Sequence, residues 1–161
     1  MHPEYGTTGG YPNDIAILRL SSPLTLGRSN VNKIRLANND GTFENHRCYI
    51  SGWGRTSGGS STLPSTLQHI DMLVIPQSTC RTMWTSVQGA TVNDGHICVY
   101  EEPKSACNGD SGGPLSCNVN NENILAGVTS WGISTCDGTY PSVYTRISVF
   151  FNWIQTQCSC V

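Results

Sequence analysis

The 161-residue chain carries nine Lys and Arg against eleven Asp and Glu, a formal charge of −2, and only 12% of its residues are charged. So small and balanced a charge excludes a protein that neutralises nucleic-acid phosphates or holds a polybasic segment against a membrane. With 37% hydrophobic residues, four Trp and six Tyr, the composition is that of a folded chain, and the length suits one domain or a piece of a larger one.

In chain order, Met1-His2-Pro3-Glu4-Tyr5-Gly6 has neither the basic start nor the apolar centre of an export signal. Ile15-Ala16-Ile17-Leu18-Arg19-Leu20 reads as a mostly buried strand closed by the turn Ser21-Ser22-Pro23. Cys48-Tyr49-Ile50-Ser51 is a second strand, stopping at Gly52-Trp53-Gly54. Ile70, Met72 and Val74 alternate along a third that ends at Pro76. Ile124–Val128 and Ser142–Ile147 are two more, separated by loops such as Ser57–Ser61 and Asn118–Asn123. Val149, Phe150, Trp153 and Ile154 recur at helical spacing and predict one helix near the end. No run of about 18 apolar residues, the length of a membrane-spanning helix, occurs. Short strands with frequent turn signals predict an all-β barrel or sandwich.

Eight cysteines are many for a reducing compartment. Zinc would call for a C-x-x-C pair, and the closest pair is Cys158 and Cys160, so disulfides are the expectation. That implies an oxidising, extracellular location. A disulfide-rich chain without an export signal leads to the further expectation that the natural N-terminus lies upstream of Met1.

Cys107-Asn108-Gly109-Asp110-Ser111-Gly112-Gly113-Pro114-Leu115 is the most informative stretch. A serine between glycines can sit in a tight turn with its hydroxyl exposed, and glycines admit a substrate carbonyl close to the backbone. The N–H groups of Gly109 and Ser111 could then converge on a developing oxyanion. A Gly-rich β-turn without chemistry is the simpler reading of such a string alone, as a turn residue after Pro12-Asn13 is for Asp14 and plain core is for Trp131. The neighbouring segments decide.

Asp14-Ile15-Ala16-Ile17-Leu18, Ser51-Gly52-Trp53-Gly54, Gly109-Asp110-Ser111-Gly112-Gly113-Pro114, Ser130-Trp131-Gly132, Pro141–Arg146 and the terminal Trp153-Ile154 helix together resemble the chymotrypsin-like (trypsin-fold) serine proteases, in the family's order and over nearly the whole chain. The resemblance implies an antiparallel Greek-key barrel. Residues 1–28 would be a remnant of a first barrel carrying the catalytic aspartate, residues 29–40 a linker, and residues 41–161 the second barrel with a C-terminal helix. It makes Ser111 the nucleophile and Asp14 the carboxylate that orients a catalytic imidazole. Gly109 and Ser111 become the oxyanion-hole donors, and Asp110 the carboxylate that supports the oxyanion loop. It also implies the bridges Cys48–Cys117, Cys80–Cys98 and Cys107–Cys136, one of 15 pairings that six cysteines allow. Cys158 and Cys160 depart from the family pattern and have no assigned partner.

The family's histidine segment, Thr-Ala-Ala-His-Cys-like, is missing. His2 precedes Asp14 by only twelve residues, and His46, His69 and His96 read as structural or surface residues. The chain is therefore expected to be a fragment that does not complete the triad by itself; loss of the base costs about 10⁶ in kcat in a serine protease.

For specificity the resemblance places Ser105, six residues before Ser111, on the floor of the primary pocket, with Ser142 beside it and Gly132 at an open mouth. The resemblance also makes Ser130, Trp131 and Gly132 the substrate-binding strand. A neutral floor gives a Lys or Arg no counter-charge, so cleavage after Leu, Met, Phe or Tyr is expected, with Asp137 as a carboxylate that could admit basic residues. The partners implied are protein or peptide substrates and protein protease inhibitors, with no nucleic acid, membrane, cofactor or metal. The alternative is a non-catalytic homologue that binds peptides or proteins on its Ser130–Gly132 edge.

Overall fold

β-branched residues in short runs pack well on a pleated surface, and the Asn, Gly and Pro between them turn the chain before a helix can propagate. The computed structural model describes residues 1–157, and Cys158 and Cys160 lie outside the described residues. Its strands are β1 (Arg35–Leu36), β2 (Arg47–Gly52), β3 (Gln68–Leu73), β4 (His96–Val99), β5 (Pro114–Val119), β6 (Glu122–Trp131) and β7 (Ser142–Arg146). Helix α1 (Gln77–Trp84) lies between β3 and β4, and α2 (Ile147–Gln157) follows β7.

Six strands form one antiparallel sheet in the order β3-β2-β5-β6-β7-β4, and β1 adds to β6 in parallel. The sheet curls until its edges meet. Val74 pairs with Val99, the Ile75 N–H donates to the Cys98 carbonyl at 3.1 Å, and the Tyr100 N–H to the Leu73 carbonyl at 2.9 Å. Closure pairs the two outer strands of the sheet, β3 and β4, with each other through these contacts. The β5–β6 hairpin turns at Asn120-Asn121, both left-handed with φ of 52° and 65°, a conformation asparagine tolerates. An antiparallel barrel of the chymotrypsin type with a C-terminal helix is the observed fold.

Met72, Val74, Ile97, Val99, Leu115, Ile124, Ala126 and Tyr144 fill the barrel, and Ile147, Phe150 and Ile154 of α2 close it. A second cluster outside it joins Cys80 and Trp84 of α1 to Cys98, Val143, Trp131 and Tyr140. β4 lies between the two clusters, so both its faces are buried. Cys48–Cys117 links directly paired residues of β2 and β5, Cys80–Cys98 links α1 to β4, and Cys107–Cys136 joins the loop before β5 to the segment after β6.

Three expectations are corrected. Ile15–Leu20 forms no strand: Ile15 is buried, but Leu18 and Leu20 face solvent. No described strand pairs with this stretch, so its alternating side chains have one packed side at most. The second helix, α1, was not expected. Its Ser, Thr and Cys residues are weak helix formers, and only Cys80 and Trp84 are buried, too few for a readable stripe. The strand expected over Ser142–Ile147 ends at Arg146, and Ile147 opens α2.

Candidate active site

Gly109 and Gly112 hold φ values of 102° and 81°, where a side chain is rarely accommodated, and they flank Asp110 and Ser111. The Asp110 carboxylate accepts the N–H of Cys107 and that of Gly54, each at 2.9 Å. The Gly113 N–H donates to the Asp110 carbonyl at 2.8 Å. The Gly112 N–H donates to the Thr129 carbonyl, and the Thr129 N–H to the Gly113 carbonyl, both at 2.9 Å, so the loop is stitched to β6. Within this ring of bonds, the N–H groups of Gly109 and Ser111 and the Ser111 hydroxyl have no partner among the described residues. Two uncommitted amide donors beside an exposed hydroxyl are the groups that stabilising a tetrahedral oxyanion requires.

The Ser51-Gly52-Trp53-Gly54 segment has a role that sequence reading missed. A Cβ on Gly52 or on Gly54 would overlap the Asp110 carboxylate. The two glycines at the end of β2 are the wall against which that carboxylate packs. Their spacing of two, which puts both on one side of a strand, was the available signal.

Asp14 comes from the other direction, on the irregular arm that precedes β1. Its Oδ2 accepts the Ser130 hydroxyl at 2.6 Å, and its carbonyl accepts the Thr145 hydroxyl at 2.6 Å. The preceding loop is drawn tight: the Asn13 side-chain amide donates to the Glu4 carbonyl at 2.9 Å, and the His2 N–H to the Ile15 carbonyl at 2.9 Å. Gly10, with φ of 79°, approaches Thr91 so closely that a Cβ would overlap its backbone. Thr145, one of the few fully buried polar residues, was missed as the anchor of Asp14.

An open cleft of about 380 Å³ is lined by Asp14, Ser111, Ser130, Trp131 and Gly132, with Tyr5 and Tyr11 from the arm. No histidine among the described residues lines it. His2 packs on Phe150 and Trp153, with ring centroids 5.7 and 4.9 Å away. His46 is exposed beside Phe43, and His69 stands on β3 facing Tyr49. His96, on β4, is 2% exposed and meets Trp131 edge-on at 5.8 Å. Burial holds its imidazole at a pKa of about 4, against the opposing pull of a hydrogen bond to the Tyr11 backbone and of the Asp14 charge.

A neighbouring cavity of about 200 Å³ brings Ser105 and Asp110 together with Gly52, Gly54 and Tyr144. Burial pushes the Tyr144 phenol up, so it stays protonated. Ser142 is buried and lines neither space. Its hydroxyl accepts the Ala106 N–H at 3.0 Å and lies 3.3 Å from the Ser105 hydroxyl, which donates to the Ala106 carbonyl at 2.7 Å. Asp137 does not reach this region. It is exposed, and its carboxylate accepts the Thr139 hydroxyl at 2.6 Å and the Thr139 N–H at 3.0 Å, bonds that hold it below the usual carboxylate range.

A closed β-barrel that presents a serine between free amide donors, with a carboxylate held across the same cleft, has the architecture of a serine-protease half. The Trypsin family profile matches residues 1–154, and the chain belongs to that family. It is 46% identical over 160 residues to a chymotrypsin-like serine proteinase of Haliotis rufescens, covering 97% of this chain and 59% of the relative. It is 44% identical over 161 residues to fibrinolytic enzyme isozyme C of Lumbricus rubellus, covering 96% and 66%. Among solved structures, neuropsin, a serine protease expressed in the limbic system of mouse brain, superposes with a TM-score of 0.84 at 31% identity, covering 97% of this chain and 67% of neuropsin. The chain thus spans 59% and 66% of the lengths of those two relatives.

Proposed function

We propose that this chain carries the nucleophile, the aspartate and the specificity pocket of a secreted serine endopeptidase that cleaves after apolar or aromatic residues. The observation that carries the proposal is the joint lining of one cleft by exposed Ser111 and by Asp14, with Asp14 fixed through Ser130. In this reading Ser111 Oγ attacks the scissile carbonyl carbon, and the new oxyanion accepts the N–H groups of Gly109 and Ser111. The amine leaves with a proton, and water then hydrolyses the acyl-enzyme. Asp110, braced by Gly54 and Cys107, holds the oxyanion loop in shape. Both proton transfers require an imidazole between Asp14 and Ser111. Because none of the four histidines lines the cleft, the chain by itself is inactive, and an imidazole other than these four is needed to complete the triad.

Specificity follows from the floor. Ser105 and Ser142 spend their hydroxyls on each other and on Ala106, so the pocket offers an apolar side chain no charge and a basic one no partner. Burying a Leu or Phe there is worth about 1.5–3 kcal/mol, enough to separate it from Ala by roughly tenfold or more in kcat/KM. Three disulfides support an extracellular location, and the partners are protein or peptide substrates and protein protease inhibitors. The lack of an imidazole in the cleft favours a second reading for the isolated chain, a module that binds extended peptides along Ser130–Gly132 without cutting them. A longer, activated form tests the first reading. Peptides varying only the residue before the scissile bond should rank Leu, Met, Phe and Tyr above Ala, with Lys and Arg near background, and Ser105→Asp should raise Lys and Arg. A preference for Arg in the unaltered enzyme contradicts the pocket assignment.

A further inference from the structure

Asn108-Gly109 is the single Asn-Gly dipeptide of the chain, and it lies in the loop whose amide donors flank Ser111. Both residues are exposed, and the Gly109 N–H has no acceptor among the described residues. Asparagine before glycine is the pair in which the following backbone nitrogen reaches the side-chain amide carbon with least hindrance, because glycine has no Cβ and turns freely. We infer that Asn108 is a site of spontaneous chemical modification, and that ring closure onto the Gly109 nitrogen removes one of the two free amide donors beside Ser111.

The step needs only water and hydroxide, and nothing is oxidised or reduced. Hydroxide takes the Gly109 N–H proton, and the nitrogen attacks Cγ of Asn108. The N–Cγ bond forms, the Cγ–Nδ2 bond breaks, and the departing nitrogen takes a proton from water and leaves as ammonia. In the resulting succinimide the Gly109 nitrogen carries no hydrogen. Water then opens the ring at either carbonyl. One product is aspartate in the original backbone, which sets a carboxylate beside the place where a negative oxygen would develop. The other is isoaspartate, which restores the N–H but displaces it by an extra backbone methylene.

The fold controls the rate. The Asn108 carbonyl accepts the Arg55 N–H at 2.9 Å, the Asp110 N–H donates to the Cys107 carbonyl at 3.0 Å, and Cys107 is bridged to Cys136. These bonds pin the loop on both sides, so closure must first turn the 108–109 peptide plane out of its bond to Arg55. Conversion is therefore slower in the folded chain than in the reduced, unfolded one.

The consequence for catalysis rests on the proposed function, whereas the modification does not. Peptide mapping by mass spectrometry of the full, disulfide-bonded chain, aged in mildly acidic and mildly alkaline buffer, tests it. The Asn108 peptide should first lose the mass of ammonia and then gain that of water. Conversion should be more than an order of magnitude faster in the alkaline buffer, faster again in the reduced chain, and absent at residue 108 in Asn108→Gln. An intact Asn108 in alkaline buffer, while Asn118, Asn120, Asn121 or Asn123 converts, overturns the inference. In a longer form that acylates, the ester-hydrolysis burst rate should fall in step with the succinimide fraction, since losing one oxyanion donor costs about 10²–10³ in kcat. An undiminished burst from enzyme held as the succinimide overturns the catalytic consequence. The mapping needs no catalysis, so its failure tells against Asn108 alone, whereas a longer form that never acylates tells against the proposed function.

Discussion

Leu115 and Cys117 of β5 are completely buried, packed from both sides of a closed barrel, while Leu18, at 88% exposed, and Leu20, Leu24 and Leu26 of the arm all face solvent. The two regions supply the serine and the carboxylate that line one cleft, Ser111 and Asp14. Ser111 belongs to a loop bonded on every side to the barrel, and its geometry is inherent in that fold. Asp14 belongs to the arm and keeps its place through two hydroxyls of the barrel, Ser130 and Thr145. The surroundings of Ser111 are therefore set by core packing, and those of Asp14 by a few polar bonds.

Perturbing the barrel should have the largest effect. Leu115→Ala should cost about 2–5 kcal/mol in chemical denaturation of the oxidised chain, through lost burial and the cavity left behind. A cost below about 1 kcal/mol, the order of a surface change, would mean the barrel is not the self-supporting region. His96 sharpens the same contrast through pH. Its folded pKa of about 4 lies below the ordinary histidine value of 6.5, so the unfolded chain binds the extra proton between these values. The contribution is fully present above pH 6.5 and is lost as pH falls to about 4, for a total of about 3 kcal/mol. Denaturation midpoints measured across this window should fall steeply in the parent chain and less so in His96→Gln.

Smaller effects are expected on the arm. Thr145→Val removes the hydroxyl that bonds the Asp14 carbonyl and should cost about 1 kcal/mol. Amide exchange should quicken over residues 2–15 and stay unchanged in β5 and β6; equal quickening in both would break the comparison. Leu18→Ser should change stability by about 0.5 kcal/mol or less, because the side chain buries almost nothing in this chain.

Legibility in the sequence follows the same division. The alternation of Ile70, Met72 and Val74 and the helical spacing of Phe150, Trp153 and Ile154 correspond to observed elements because each buries one face on the barrel core. Ile15–Leu20 misled because apolar residues signal a buried strand only where two surfaces exist to receive them. Gln77–Trp84 went unread because its helix rests on two buried side chains and a preceding proline. In the site, the Ser111 loop was visible in its glycines. The purpose of Gly52 and Gly54 was not, since it is a close approach to Asp110 across 56 residues of sequence. Nor was that of Thr145, whose hydroxyl reaches back 131 residues to Asp14.

The central claim is that this chain presents Ser111 and Asp14 in one cleft with no base between them. Fluorophosphonate labelling of the folded, oxidised chain, read by peptide mapping against Ser111→Ala, tests it most directly. The account predicts labelling of Ser111 no faster than background labelling of other serines. Rapid, stoichiometric modification of Ser111 would contradict it and would require one of His2, His46, His69 or His96 to serve as the base.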